Sequence, residues 1–210
     1  VHDDIALSTL LRSTTAEAHQ TAERTGVMAQ FLRRTLPRDG YVALLRALYV
    51  IYDALERGAA AHRSSRVIAT LFDPALARAD ALAADLTTFA GADWRALPVA
   101  PTAARYAARL DELAAHHPQL LVAHAYVRYL GDLHGGQVLG KLVRAQYDVT
   151  DADGARFYDV SAVGELHPFI ARFRASLDAV TRDPAERDAI AAEALHGFRE
   201  HITLFAELAA

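Results

Sequence analysis

Tyr126-Val127-Arg128-Tyr129-Leu130-Gly131-Asp132-Leu133-His134-Gly135-Gly136-Gln137 is the stretch on which the reading of this chain turns. It falls inside a helical pattern from about Gln119 to Tyr147, yet Gly131, Gly135 and Gly136 all lie within six residues. Each glycine in a helix interior costs roughly 0.8–1 kcal/mol relative to alanine, so about 2–3 kcal/mol is given up here. A loss of that size calls for a kink, or for close approach to the backbone by something flat and bulky. Gly131 and Gly135 are four apart and face the same way. Tight packing of another helix on that bare face is the competing reading. Asp132 follows Arg128 by four residues, so the two share a face and place a carboxylate beside the glycines. A surface ion pair fits that spacing as well as a group that holds water near a ligand.

Outward from this stretch the chain reads as helices joined by short punctuated loops, without strand alternation. The first helix is expected from near Asp4 to about Thr25, with Gly26 as its stop. A second is expected over Pro37–Ala61, where Leu44, Leu45, Leu48, Ile51, Tyr52 and Leu55 form an apolar stripe. Shorter helices follow at about 66–71, 74–89 and 101–115, then a break at His116-His117-Pro118 before the long helix. A loop is expected around Val149–Gly154, and final helices over about 166–180 and 184–208. The expected fold is all-α, a single helical domain over residues 1–210.

Composition narrows the function classes. The 210 residues are 52% hydrophobic and 23% charged, enough to build a core. A net charge of −4 argues against a general nucleic-acid binder, which needs a basic surface. With no cysteine, disulfides, thiolate metal sites and cysteine nucleophiles all drop out. Val1-His2-Asp3-Asp4 carries no basic flank followed by an apolar run, and no segment reaches the roughly 18–20 apolar residues of a span. The expectation is a soluble, cytoplasmic protein without a membrane anchor.

The first helix holds a second constellation, Arg12, His19 and Glu23. His19 and Glu23 are four apart; Arg12 lies two turns earlier, about 10 Å along the axis. A neutral imidazole is a common metal ligand whose other nitrogen usually donates to a carboxylate or carbonyl. Glu23 could be that acceptor, directly or through water, and Arg12 could meet a negative group at the edge of a large cofactor. With ten histidines in the chain, a structural role for His19 stays open on spacing alone.

These residues meet a known family. Leu121-Val122-Ala123-His124-Ala125 followed by the Tyr126–Gln137 stretch and Val138-Leu139 closely resembles the distal-helix signature of bacterial, soluble, biliverdin-forming heme oxygenases. Ala18-His19-Gln20-Thr21-Ala22-Glu23 resembles their proximal-helix signature. Leu48–Glu56 and the segment from Phe198 to Leu208 are similar to further family segments, in the family's order. The resemblance implies heme b, both cofactor and substrate, held between the first helix and the kinked distal helix. His19 would be the axial ligand of the heme iron, with Glu23 behind it. Gly131 and Gly135 would touch the distal heme face, and Asp132 would organise water that delivers protons to the reacting dioxygen. Tyr52 and Arg128 match positions that extend this network. Arg12, Tyr126 and Arg174 match positions at the heme propionates, and Phe198 one that lines the pocket. The products would be biliverdin, carbon monoxide and ferrous iron, from O2 and electrons supplied by a reductase or ferredoxin.

Three residues depart from the family's usual pattern. His134 stands where relatives often carry serine, Ile170 where many have lysine, and His201 where many have asparagine. An unperturbed imidazole at 201 would titrate near neutral pH, so an extra ionisation between about pH 5.5 and 7.5 is expected. His134 is expected to stay off the iron, displaced by roughly 60–100° around the helix from either glycine. Two other readings remain: a non-catalytic heme carrier or sensor, in which His134 would be a second axial ligand, and a helical di-iron oxidase. The latter uses paired Glu-x-x-His motifs, of which this chain has one, Glu193…His196.

Overall fold

A computed structural model describes residues 5–210, and within them no β-strand forms. The longer helices are α1 (Leu7–Glu23), α2 (Gly26–Leu32), α3 (Arg38–Ala61), α4 (Arg66–Leu71), α5 (Ala79–Ala90) and α6 (Pro101–His116). After them come α7 (Leu121–Ala125), α8 (Gly131–Tyr147), α9 (Leu166–Asp178) and α10 (Pro184–Glu207). The expected start of the first helix at Asp4 lies outside the described residues.

The apolar stripe of α3 does what its spacing requires: Leu44, Leu45, Leu48, Ile51, Tyr52 and Leu55 are all buried. They join one contiguous cluster of core residues that runs from Leu7 on α1 to Phe205 on α10. Around it α3 packs on α5 and α6, and α1 packs along α10 and touches α9. Helix starts are set by local chemistry. Pro101 and Pro184 open α6 and α10 at the position where a missing N–H costs nothing. Asp183 caps α10 by accepting from the Ala185 N–H at 3.0 Å. Glu56 reaches from α3 to accept the Arg78 N–H at 2.6 Å, just ahead of α5.

Three boundaries differ from the sequence expectation. Gly26 does not simply end α1; with φ +47° it turns the chain straight into α2. A Cβ there would fall 1.8 Å from the Phe205 carbonyl oxygen, so close approach to α10 demands glycine. The segment expected as one helix over 74–89 is a 3₁₀ turn, Pro74–Leu76, followed by α5. The long helix changes winding: Tyr126–Leu130 is a π-helical stretch between α7 and α8. The glycines from which an irregularity was expected, Gly131, Gly135 and Gly136, lie just beyond it in regular α8. One π turn is a recognised cause of a kink and is enriched at functional sites.

Candidate active site

A cleft of about 630 Å³ opens between α1 and the π stretch with α8. Arg12, His19 and Glu23 line it from α1; Tyr126, Gly131, His134 and Gly135 from the π stretch and α8; Arg174 and Phe198 from α9 and α10. The residues that the family resemblance assigns to heme contact thus border one cavity, whereas Tyr52, Arg128 and Asp132 do not line it.

The glycines divide into two functional sets. A Cβ on Gly131 or Gly135 would meet nothing within 4 Å, so both present bare backbone to the cleft. By contrast, a Cβ on Gly140 would sit 2.9 Å from the Tyr158 Cβ, and one on Gly136 would lie 3.9 Å from the same ring. Helix packing, the competing reading of the glycines, applies to Gly136 and Gly140, on the face turned to Tyr158. It does not apply to Gly131 and Gly135.

His19 is half-exposed in the cleft, with its ring edge-on to Phe198 at 5.6 Å between centroids. Its Nδ1 lies 3.7 Å from the Glu23 carboxylate, beyond a direct hydrogen bond. The side chains thus face each other across a gap, the geometry of an indirect rather than a direct partner. Thr15 bonds the Tyr126 hydroxyl at 3.2 Å, tying α1 to the π stretch at the back of the cleft.

Tyr52, Arg128 and Asp132 form a hydrogen-bonded group behind the glycine ledge. The Tyr52 hydroxyl donates to Asp132 Oδ2, and Arg128 donates to both the Tyr52 oxygen at 3.1 Å and Asp132 Oδ1 at 3.4 Å. Burial raises the Asp132 carboxyl above its ordinary range, against the pull of Arg128 and Tyr52. Burial also raises the Tyr52 phenol, which therefore stays protonated as a donor.

His201 joins this group, but not as a titrating member. Its Nδ1 lies 2.8 Å from the Gly197 carbonyl, which can only accept, so Nδ1 carries the proton. Its Nε2 lies 2.9 Å from Arg128 Nη1, which can only donate, so Nε2 is the bare acceptor. The ring is buried beside a guanidinium, and burial first, then Arg128, pushes its pKa down to about 3. The expected ionisation between pH 5.5 and 7.5 is thus corrected: the imidazole occupies the network as a neutral acceptor at neutral pH.

His134 is held in the same way. Nδ1 lies 2.7 Å from the Leu130 carbonyl and Nε2 lies 3.0 Å from Arg174 Nη2, so Nδ1 donates and Nε2 accepts.

Sequence reasoning missed a buried cluster on the far side of His201. Glu193 accepts from His124 Nε2 at 3.1 Å and from Arg109 at 2.8 Å, while the Tyr106 hydroxyl donates to His124 Nδ1 at 2.8 Å. Burial opposes the Glu193 charge, but the bonds from His124 and Arg109 outweigh it and hold its pKa near about 2. Tyr106 in turn packs edge-on against the His201 ring, 5.2 Å between centroids. No spacing rule links positions 106, 109, 124 and 193, because their meeting depends on how α6, α7 and α10 pack.

With this geometry in place, comparison with known proteins is decisive. Residues 5–207 match the family model described as Heme oxygenase. The chain belongs to the heme oxygenase family. It is 33% identical over 203 residues to Heme oxygenase 1 of a Nostoc species, covering 96% of this chain and 85% of that relative. Human Heme oxygenase 1 is 37% identical over 205 residues, covering 96% of this chain and 71% of the human protein. The crystal structure of heme oxygenase-1 from Synechocystis in complex with heme superimposes with a TM-score of 0.92 at 31% identity. That match covers 97% of this chain and 92% of the other. As a heme oxygenase fold, the structure places its cleft between the first helix and the distal α8. No helix among the described residues is long and apolar enough to cross a membrane.

Proposed function

We propose that this heme oxygenase family member, acting as one domain over residues 1–210, opens heme b to biliverdin, carbon monoxide and ferrous iron. The observation that carries the reading is the bare ledge of Gly131 and Gly135 in the same cleft as the His19 imidazole. A flat macrocycle can lie against exposed backbone where a side chain would hold it off, and an imidazole is the one strong iron ligand the α1 wall offers. The residues present thus fit the group.

His19 would hold the iron, with Glu23 polarising its far nitrogen indirectly. Arg12, Arg174 and Tyr126 would take the propionates, and Phe198 packs beside the His19 ring. Bound heme supplies both the substrate carbon skeleton and the iron at which O2 is reduced. Asp132 would order the water that delivers protons toward the glycine ledge, while Tyr52 and Arg128 fix its rotamer. His201 fixes Arg128 from behind. Electrons would come from a reductase or ferredoxin in the cytoplasm.

The other two readings lose their footing in particular atoms. A carrier with His134 on the iron needs a free imidazole nitrogen, and both of its nitrogens are engaged. A di-iron site needs Glu193, which is taken by Arg109 and His124.

Titration of the protein with ferric heme tests the assignment. One equivalent should produce a Soret spectrum of a single-imidazole complex, and His19→Ala should lose it and regain it in part with added imidazole. An unchanged ferrous–CO spectrum in His19→Ala would remove His19 from the iron.

A further inference from the structure

The bond between His134 and Arg174 joins α8 to α9 across the cleft wall, and nothing in the reaction described above requires it. We propose that His134 is a positioning residue: its neutral imidazole holds the Arg174 guanidinium at the cleft, in place to receive a carboxylate of the porphyrin. The proposal rests on the heme reading and concerns how the protein prepares for its ligand.

The atoms allow one arrangement. The Leu130 carbonyl lies 2.7 Å from His134 Nδ1 and accepts its proton, which locks the ring to its own helix. That leaves the Nε2 lone pair directed at Arg174 Nη2, 3.0 Å away. A guanidinium carries five N–H donors, so one bond to His134 leaves the rest of the fork free for a carboxylate. The same construction recurs at His201, where an imidazole anchored to the carbonyl four residues back accepts from Arg128. Arg174 at the cleft and Arg128 behind the glycine ledge are thus each held by an imidazole acceptor.

The bond matters because α9 offers little else to the cleft. Ile170, one turn before Arg174, is buried in the core and brings no charge. Arg172 turns away, its guanidinium over the Phe169 ring at 5.4 Å from the centroid. Arg174 is therefore the α9 cation that borders the cleft, and its side chain is exposed and long. A free arginine has many rotamers to surrender when a ligand arrives; one already tethered surrenders fewer, and affinity rises accordingly. A serine at position 134 is too short to reach that guanidinium from Leu130.

Two measurements on the chain of residues 1–210 decide it. The first is the 15N spectrum of His134 in the heme-free protein, assigned by comparison with His134→Gln. The proposal predicts the Nδ1–H tautomer with Nε2 unprotonated, and the Nε2–H tautomer overturns it. The second is equilibrium affinity for ferric heme and for its propionate dimethyl ester. His134→Ala should weaken heme binding about fivefold to tenfold while changing ester binding less than about twofold. His134→Gln, which returns an acceptor to the Nε2 position, should recover most of the loss. His134→Ala should add nothing to Arg174→Ala, since both remove the same interaction. Equal losses for both ligands, no loss for either, or additive losses with Arg174→Ala overturn the proposal and leave the heme assignment intact. If the unaltered chain binds neither ligand, the heme reading fails and takes the proposal with it.

Discussion

Replacing His201 by asparagine should flatten the acid side of the stability curve. The folded ring titrates near about 3 and the ordinary imidazole at 6.5. Because the folded value is the lower one, the unfolded chain binds the proton first as pH falls. The stability contributed by the neutral ring is therefore complete above pH 6.5 and is lost progressively toward pH 3. At pH 5 the unfolded imidazole is one and a half units below its titration point, and at about 1.36 kcal/mol per unit the loss is about 2 kcal/mol. That figure depends little on the folded value, provided it stays well below 5. Carboxylates elsewhere titrate in both proteins and cancel in the difference. Urea unfolding of wild type and His201→Asn at pH 7 and pH 5 reads the effect directly. Wild type should lose about 2 kcal/mol more than the variant over this interval. Parallel losses would refute the buried neutral acceptor and restore an ordinary titrating histidine. The rate of biliverdin formation should, in parallel, show no ionisation near neutral pH that His201→Asn removes.

The two glycine sets should respond in opposite senses. Gly131→Ala meets open space and gains helix propensity, so stability should rise by up to about 1 kcal/mol while heme affinity falls. Gly140→Ala collides with Tyr158 and should cost about 1–3 kcal/mol, measured by thermal or urea unfolding, without a specific loss in heme affinity. Glu193, held near about 2 against an ordinary 4.5, contributes stability that is present above pH 4.5 and lost as pH falls toward 2. Glu193→Gln should remove that acid-dependent part, on the order of 3 kcal/mol, from the pH dependence of unfolding.

Much of this was legible in the chain because it rests on local rules. The stripe of α3, the prolines that open α6 and α10, and the helix over 66–71 follow from spacing and caps within a few residues. The propensity cost of the glycines pointed to the bare backbone of Gly131 and Gly135, but not to the π turn, which lies over the glycine-free Tyr126–Leu130 just before them. What escaped was set by distant packing. Gly26 read as a stop, because only the Phe205 carbonyl, far along the chain, explains why a second helix begins on it. His201 read as a group that titrates, because neither its burial nor its bond to Arg128 is written in the residues beside it. The Arg109, His124 and Glu193 cluster was invisible for the same reason. Residues of the cleft wall were found by likeness to a family, since their spacing alone favoured a surface ion pair and a structural histidine.

The central claim is that the chain degrades heme and that Asp132 directs the oxygen chemistry from beside the glycine ledge. A single-turnover experiment tests it most directly: the one-to-one ferric heme complex is given reductant in air, and biliverdin is quantified by chromatography with carbon monoxide trapped on a reporter globin. Wild type should convert its heme to biliverdin with about one equivalent of carbon monoxide. Asp132→Ala should bind heme with similar affinity and yield little biliverdin. Heme that binds to wild type and survives the reaction intact would contradict the activity, and an undiminished yield from Asp132→Ala would contradict the role of the carboxylate.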